Sequence, residues 1–97
     1  MPSVKLTEHQ RASRLCKHTA QAKEVSYAEH VCPECVAKGD AWVQLRICMI
    51  CSHVGCCDSS KNRHARTHYE STQHPIIMTI ESSPAWAWCY PDNTYLK

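Results

Sequence analysis

Two Cys-x-x-Cys pairs, Cys32/Cys35 and Cys48/Cys51, followed by Cys56, Cys57, His64, His68 and His74, constrain this chain more than any other feature. Each pair sets two thiolates at the bite a tetrahedral ion accepts, and each pair needs two further ligands. His64 and His68 lie in the segment NRHARTHYEST, which reads as a helix of about ten residues. Four apart, they share one helix face one turn apart and can serve two neighbouring ions. The pairing that closes both sites without knotting the chain is interleaved. The first site is then Cys32, Cys35, Cys57 and His64, and the second is Cys48, Cys51, His68 and His74. This is a cross-brace, and zinc is the expected metal.

A metal scaffold is also what the composition asks for. The 97 residues imply one unit, because two cores would each be too small to offset the entropy of ordering them. Leu, Ile, Val and Phe supply only 15 of those residues, too few for an ordinary interior. Eight cysteines and seven histidines are available to staple the chain instead. The opening MPSVKLTEHQ has no apolar core of a leader, and no run approaches the ~20 apolar residues of a membrane span. The expectation is a cytoplasmic, monomeric protein without membrane contact, whose thiols bind metal rather than form disulfides. Net charge is +2, from 11 basic and 9 acidic residues, without a run of like charge, so nucleic acid is an unlikely partner.

A third set of donors remains. Cys16-x-His18 is a half-site, and CYPD places Cys89 and Asp92 at the spacing of a knuckle with aspartate as its last ligand. Cys56 is the alternative ligand in that set, or a small buried apolar residue. Two zincs are expected, and three if this set closes.

Local patterns place these groups on elements. In AWVQLRICMIC, Val43, Leu45 and Ile47 alternate with Trp42, Gln44 and Arg46, the period of a half-buried strand that delivers Cys48 and Cys51. DSSKN offers N-caps for the helix, and Pro75 marks its end. PIIMTI reads as a second strand, and AWAWCYPDNTYLK as an aromatic, extended C-terminal segment. Residues 1–14 read as a flexible tail with a short frayed helix from Thr7, and residues 15–97 as the domain.

The order Cys-x-His, CxxC, CxxC, Cys, His, His, His from Cys16 to His74, closing with AWCY, resembles the UBP-type zinc finger, over residues 16–95. That family includes ubiquitin-binding modules of ubiquitin-specific proteases and of a histone deacetylase. The resemblance implies a small zinc-stapled α+β domain with a twisted antiparallel sheet, one or two helices and up to three zincs, in agreement with the elements above. It also implies a pocket for a free C-terminal Gly-Gly carboxylate, with a tryptophan stacked on the tail and an arginine on the carboxylate. Trp88, Tyr90 and Tyr95 fall at the pocket aromatics of the family. The arginine position, two after Cys57, holds Ser59, the tyrosine after it is Ser60, and the stacking tryptophan is Arg46. The implied pocket is therefore rearranged, with Arg46 as the cation and Trp42, Trp86 or Trp88 as walls. The alternative role of these aromatics is hydrophobic cover for the metal sites. VGCCDSS, with no catalytic domain attached, looks like the small stand-alone members found in bacteria, where ubiquitin is mostly absent; another protein or peptide C-terminus is then the expected ligand.

The function expected is a zinc-binding, non-catalytic recognition module. Three others compete. A zinc hydrolase needs an open coordination position and a glutamate base, whereas HARTH has Ala65 and Arg66 where a metalloprotease carries that glutamate. Nucleic-acid binding would use the modest basic face of Lys61, Arg63 and Arg66. Thiol redox sensing or zinc buffering would use the vicinal Cys56 and Cys57.

Overall fold

A computed structural model gives the fold and describes residues 2–81 and 85–96; Met1 and Lys97, the ends of the expected organisation, lie outside the described residues. The elements run β1 (Ser3–Val4), α1 (Glu8–Arg11), a 3-10 turn (Thr19–Gln21), β2 (Val25–Ser26), α2 (Pro33–Lys38), β3 (Leu45–Cys48), β4 (Val54–Cys56), α3 (His64–Thr72), β5 (Ile76–Thr79), β6 (Ala87–Cys89) and β7 (Thr94–Tyr95). Five strands form an antiparallel sheet in the order β4-β3-β5-β6-β7, and β1 pairs with β2 in a second, two-stranded sheet. The α+β class and the antiparallel sheet are those expected, with three helices in place of one or two. No helix among the described residues is long and apolar enough to cross a membrane.

Alternation along the strands makes the main sheet two-sided. Leu45 lies opposite Cys56, Ile47 opposite Val54 and Met78, Ile76 opposite Cys89, and Met78 opposite Ala87. All of these are buried, and they form the core together with Leu6, Val25, Leu96 and the thiols of Cys16, Cys32 and Cys35. The thin aliphatic content is thus made up by cysteine. The other face carries Arg46 opposite Gly55 and Thr79, then Ile77 opposite Trp88, and Trp88 opposite Tyr95. Helix α3 approaches β4 on this side, where a Cβ on Gly55 would meet backbone atoms of His64 and Ala65.

The first strand starts later than its pattern suggests. Pairing begins at Leu45, so alternation does not reach Val43, which is 61% exposed, or Trp42, which packs against the core. The C-terminal segment, read as extended, is a hairpin of β6 and β7 turning through Asn93 at φ 52°.

Helix ends follow local chemistry. Pro33 opens α2, and Gly39 closes it in the left-handed region at φ 75°. α3 ends at Gln73, also left-handed at φ 61°, ahead of Pro75. None of the candidate caps in DSSKN caps α3; Arg63 stands at that position with φ 48° and no side-chain cap bond. The described part of the expected tail, residues 2–14, is tied to the domain. Thr7 and Gln10 form a capping box around α1, Leu6 is buried, and Gln10 Nε2 donates to the Ala85 carbonyl at 3.2 Å.

Candidate metal centres and an aromatic cleft

Three groups of four donors converge, each with its ligand atoms within 4.8 Å of one another: Cys32, Cys35, Cys56 and His64; Cys48, Cys51, His68 and His74; and Cys16, His18, Cys89 and Asp92. The first two are interleaved along the chain. In the first, all four residues are buried, and His64 Nδ1 lies 3.3 Å from Cys32 Sγ and 3.5 Å from both Cys35 and Cys56. In the second, His68 Nε2 is 3.3 Å from Cys51 Sγ, His74 Nδ1 is 3.6 Å from Cys48 Sγ, and Cys51 is exposed. In the third, His18 Nδ1 is 3.4 Å from Cys89 Sγ and 3.0 Å from Asp92 Oδ2.

One expected member is corrected. Cys56, not Cys57, belongs to the first group. β4 pairs Cys56 with Leu45 on the core face, and the next side chain points the opposite way. Cys57 instead faces the other side of the sheet, with its Sγ 3.5 Å from Ser60 Oγ. Cys56 is thereby also absent from the third group, where Asp92 supplies the fourth donor.

The donor chemistry fits zinc. Burial pushes the thiols of Cys32 and Cys48 up to about 11 and, with Cys16 alongside, that of Cys89 to about 12. Packed thiols of this kind cannot ionise together without a cation among them, and a divalent ion reverses the preference. Backbone and amide donors already point at the sulfurs: His64 N–H to Cys56 at 3.2 Å, Ile50 N–H to Cys48 at 3.5 Å and Asn62 Nδ2 to Cys35 at 3.6 Å. Burial, with His53 and His74 nearby, lowers the pKa of His68 and keeps the ring in the neutral form a metal needs. All eight cysteines are free of disulfides.

A residue outside the expected sites joins the first two groups. His53 stacks on His68, with centroids 4.2 Å apart and planes 9° from parallel, and its Nε2 lies 2.6 Å from Glu34 Oε1. Glu34 sits between Cys32 and Cys35 on α2. Nothing in the sequence around His53 distinguishes it from a solvated histidine.

On the face opposite the core lies a cleft of about 230 Å³, walled by Trp86, Trp88, Tyr90 and Tyr95, with Arg46 and Arg66 as its cations. Tyr95 stands edge-on to Trp88 at 4.9 Å and to Trp86 at 5.4 Å. The Arg46 guanidinium lies over the Trp86 ring at 4.5 Å, and that of Arg66 over Tyr90 at 5.3 Å. Arg66 is clasped to Asp58 through Nε at 3.1 Å and Nη2 at 2.7 Å. Among the described residues Arg46 meets only neutral acceptors, the Leu45 carbonyl at 2.9 Å and Gln44 Oε1 at 3.3 Å. Five of the six residues expected at the pocket line this cleft; Trp42 does not, for the reason of strand length given above. Cys57 lines its floor. Burial works to raise the Cys57 thiol, but the Ser60 hydroxyl, backbone N–H groups and the Arg46 charge outweigh it and hold it below the usual value. Burial and the Asp58 carboxylate push the Tyr90 hydroxyl well above its ordinary range, so it stays neutral.

The family model for the zinc finger in ubiquitin hydrolases and other proteins matches residues 32–97. The chain belongs to the UBP-type zinc-finger family. Human BRCA1-associated protein is 33% identical over 72 residues, 74% of this chain but 11% of that protein. NAD-dependent deacetylase sir2A of Dictyostelium discoideum is 35% identical over 65 residues, 67% of this chain and again 11% of that protein. The chain therefore spans only a small part of these curated relatives. A solved structure, the solution NMR structure of protein RPA1320 from Rhodopseudomonas palustris, superposes with a TM-score of 0.76 at 43% identity, covering 84% of this chain and 80% of that one. As a UBP-type zinc finger the chain is a zinc-binding module, and the family unit is a binding domain rather than a catalytic one. Its match begins at Cys32, so Cys16 and His18 lie outside the matched residues. With Cys56 as the cluster cysteine, the position two residues on is Asp58 rather than Ser59. An acid thus stands where the resemblance implied an arginine, and the second cation comes from Arg66 on α3, which the sequence marked only as part of a basic helix face.

Proposed function

We propose that the three donor groups each hold a structural zinc ion and that the aromatic cleft receives the free C-terminal carboxylate of a protein or peptide, without catalysis. UBP-type zinc fingers generally bind the C-termini of ubiquitin-related proteins, which sets the class of ligand to test. The observation that carries the reading is Arg46. Among the described residues its guanidinium makes no ion pair, yet it lies over the Trp86 ring at 4.5 Å in a cleft of four aromatic rings. A guanidinium so fixed is ready for a two-pronged bond to a carboxylate. Arg66 is already neutralised by Asp58, which leaves one free positive charge for one terminal negative charge. A volume of about 230 Å³ suits a tail of a few small residues whose backbone lies against the rings.

The competing functions find less support. Lys61 pairs with Asp40 at 3.6 Å and Arg66 with Asp58 at 2.7 Å, so the basic face is largely compensated. Cys56 has no exposed surface and Cys57 is 5% exposed, which argues against an accessible vicinal thiol pair. Four donors in each group favour closed, structural coordination over the open position of a hydrolase.

Calorimetric titration of a peptide ending in Gly-Gly, and of the same peptide as its C-terminal amide, tests this. The free acid should bind, and both Arg46→Ala and amidation should weaken it by roughly 10- to 100-fold, the value of a charge-assisted hydrogen bond. Equal affinity of acid and amide, or of wild type and Arg46→Ala, rejects the reading.

A further inference from the structure

We infer that the third donor group and the cleft are coupled sites: metal bound by Cys16, His18, Cys89 and Asp92 fixes the hairpin that forms the aromatic wall on the opposite side of the sheet. β6 is three residues long, and its alternation sends Trp88 to the cleft and Cys89 to the donor group. Asp92 lies in the turn that follows, and Tyr95 on β7 completes the wall against Trp88. β7 is a two-residue edge strand held by two paired positions and one further bond, Leu96 N–H to the Ala87 carbonyl at 3.1 Å. β6 is fixed by its pairing with β5 and the end of β7 by buried Leu96, which leaves the turn between them and the edge at Tyr95 as the weakly held part of the wall.

The donor group adds a restraint at that turn. Cys89 stands at the end of β6 and Asp92 within the turn, and the segment from Cys16 to His18, distant in sequence, reaches across to both. His18 Nδ1 is 3.4 Å from Cys89 Sγ, and the Lys17 N–H donates to Asp92 Oδ2 at 2.9 Å. Without a cation this tie consists of buried thiols beside a carboxylate; with one it becomes four bonds joining two parts of the chain. The site is also the one suited to respond to metal supply, since a partly exposed aspartate replaces a thiolate. By linkage, any ligand that requires the ordered wall binds tighter when this group is loaded, and in turn retains the metal, by a factor of roughly 5 to 150. The coupling stands on the hairpin alone; its consequence for affinity rests on the reading of the cleft as a tail-binding site.

Hydrogen exchange and elemental zinc on the full zinc-loaded chain, wild type against His18→Ala, decide it. His18 is not part of the cleft lining. The variant should lose one equivalent of zinc, show at least tenfold faster exchange across residues 87–95 with β3 and β4 unchanged, and bind the Gly-Gly peptide 5- to 150-fold more weakly. Loss of one zinc with unchanged hairpin protection overturns the inference, and so does full zinc retention. If His18→Ala unfolds β3 and β4 as well, Asp92→Cys is the deciding variant. Its added sulfur donor should slow metal loss to a chelator and slow hairpin exchange in step, and slower metal loss with unchanged exchange overturns the coupling. If the peptide fails to bind wild type, the tail-binding reading falls, and the exchange comparison still settles the coupling.

Discussion

Replacing Gly55 with alanine is the sharpest single perturbation of the metal scaffold. An added Cβ would lie 2.6 Å from Ala65 N, 2.9 Å from the His64 carbonyl carbon and 3.0 Å from Ala65 Cα. All three are backbone atoms in the first turn of α3, so no side-chain rotation relieves the clash. Ordinary carbon contacts lie at about 3.5–4.0 Å, so α3 must retreat by roughly 1 Å. Overpacking of this kind costs about 1–3 kcal/mol. The displaced turn carries His64, and zinc–ligand distances tolerate only about 0.2 Å of error. Misplacing a ligand's support typically costs ~10- to 100-fold in metal affinity, about 1.4–2.7 kcal/mol. Together the penalty is about 2–6 kcal/mol, enough to lower Tm by ~10 °C or more. Gly39→Ala is the control. Gly39 has φ 75° but nothing within 4 Å of an added Cβ, so its cost is backbone strain alone, about 1 kcal/mol, with the metal untouched. Thermal unfolding with a competing zinc chelator reads both quantities. A Gly55→Ala protein with wild-type zinc affinity and a Tm within ~2 °C of wild type would show that β4 and α3 do not set the first metal group.

Adjacent cysteines give a second test. Cys56→Ser should remove one zinc equivalent by elemental analysis and destabilise the fold, while Cys57→Ser should keep full zinc and lose less than about 1.5 kcal/mol, because that thiol lies outside the donor groups and its Ser60 contact at 3.5 Å can be kept by a hydroxyl. The opposite pattern would return Cys57 to the first group. Chelator stripping should be ordered: the first group, with all four donors buried, should release its metal last, after the second with its exposed Cys51 and the third with half-buried His18 and Asp92. Histidine ring resonances follow each site separately, and release of metal from His64 ahead of His68 would refute the burial argument.

Much of the scaffold was legible because metal ligation leaves a spacing in the sequence that packing does not. The two Cys-x-x-Cys pairs and the histidines four apart on α3 needed only helix periodicity to be divided between two groups, and Cys16-x-His18 with Cys89 and Asp92 needed only knuckle spacing. The helix start was not legible. Asp58, Ser59, Ser60 and Asn62 all have capping chemistry, but tertiary geometry gives the position to Arg63 in a left-handed conformation. The anchoring of the N-terminal segment is not legible locally because it is long-range: Leu6 is buried in the core, and Gln10 reaches Ala85, contacts that no local pattern records. Arg66 was hidden for a similar reason, since its role in the cleft comes from Asp58 eight residues away and Tyr90 on another element.

The assignment of Cys56 turned on one bit of information, the parity of β4, and that bit was present in the sequence. In VGCC, a glycine within a strand signals the close approach of another backbone. If α3 crosses at Gly55, then Gly55 faces α3, the next residue faces the core, and the one after it faces α3's side again. Cys56 is thereby a core-side donor, and Cys57 part of the cleft lining. The same rule divides Trp88 from Cys89 on β6, with the ring to the cleft and the thiol to a metal group. A one-residue slip on either strand would exchange ligand for lining along the whole strand. The registers of β4 with β3 and of β6 with β5 therefore set the donor groups and the lining of the cleft together, and neither can shift by one residue without the other.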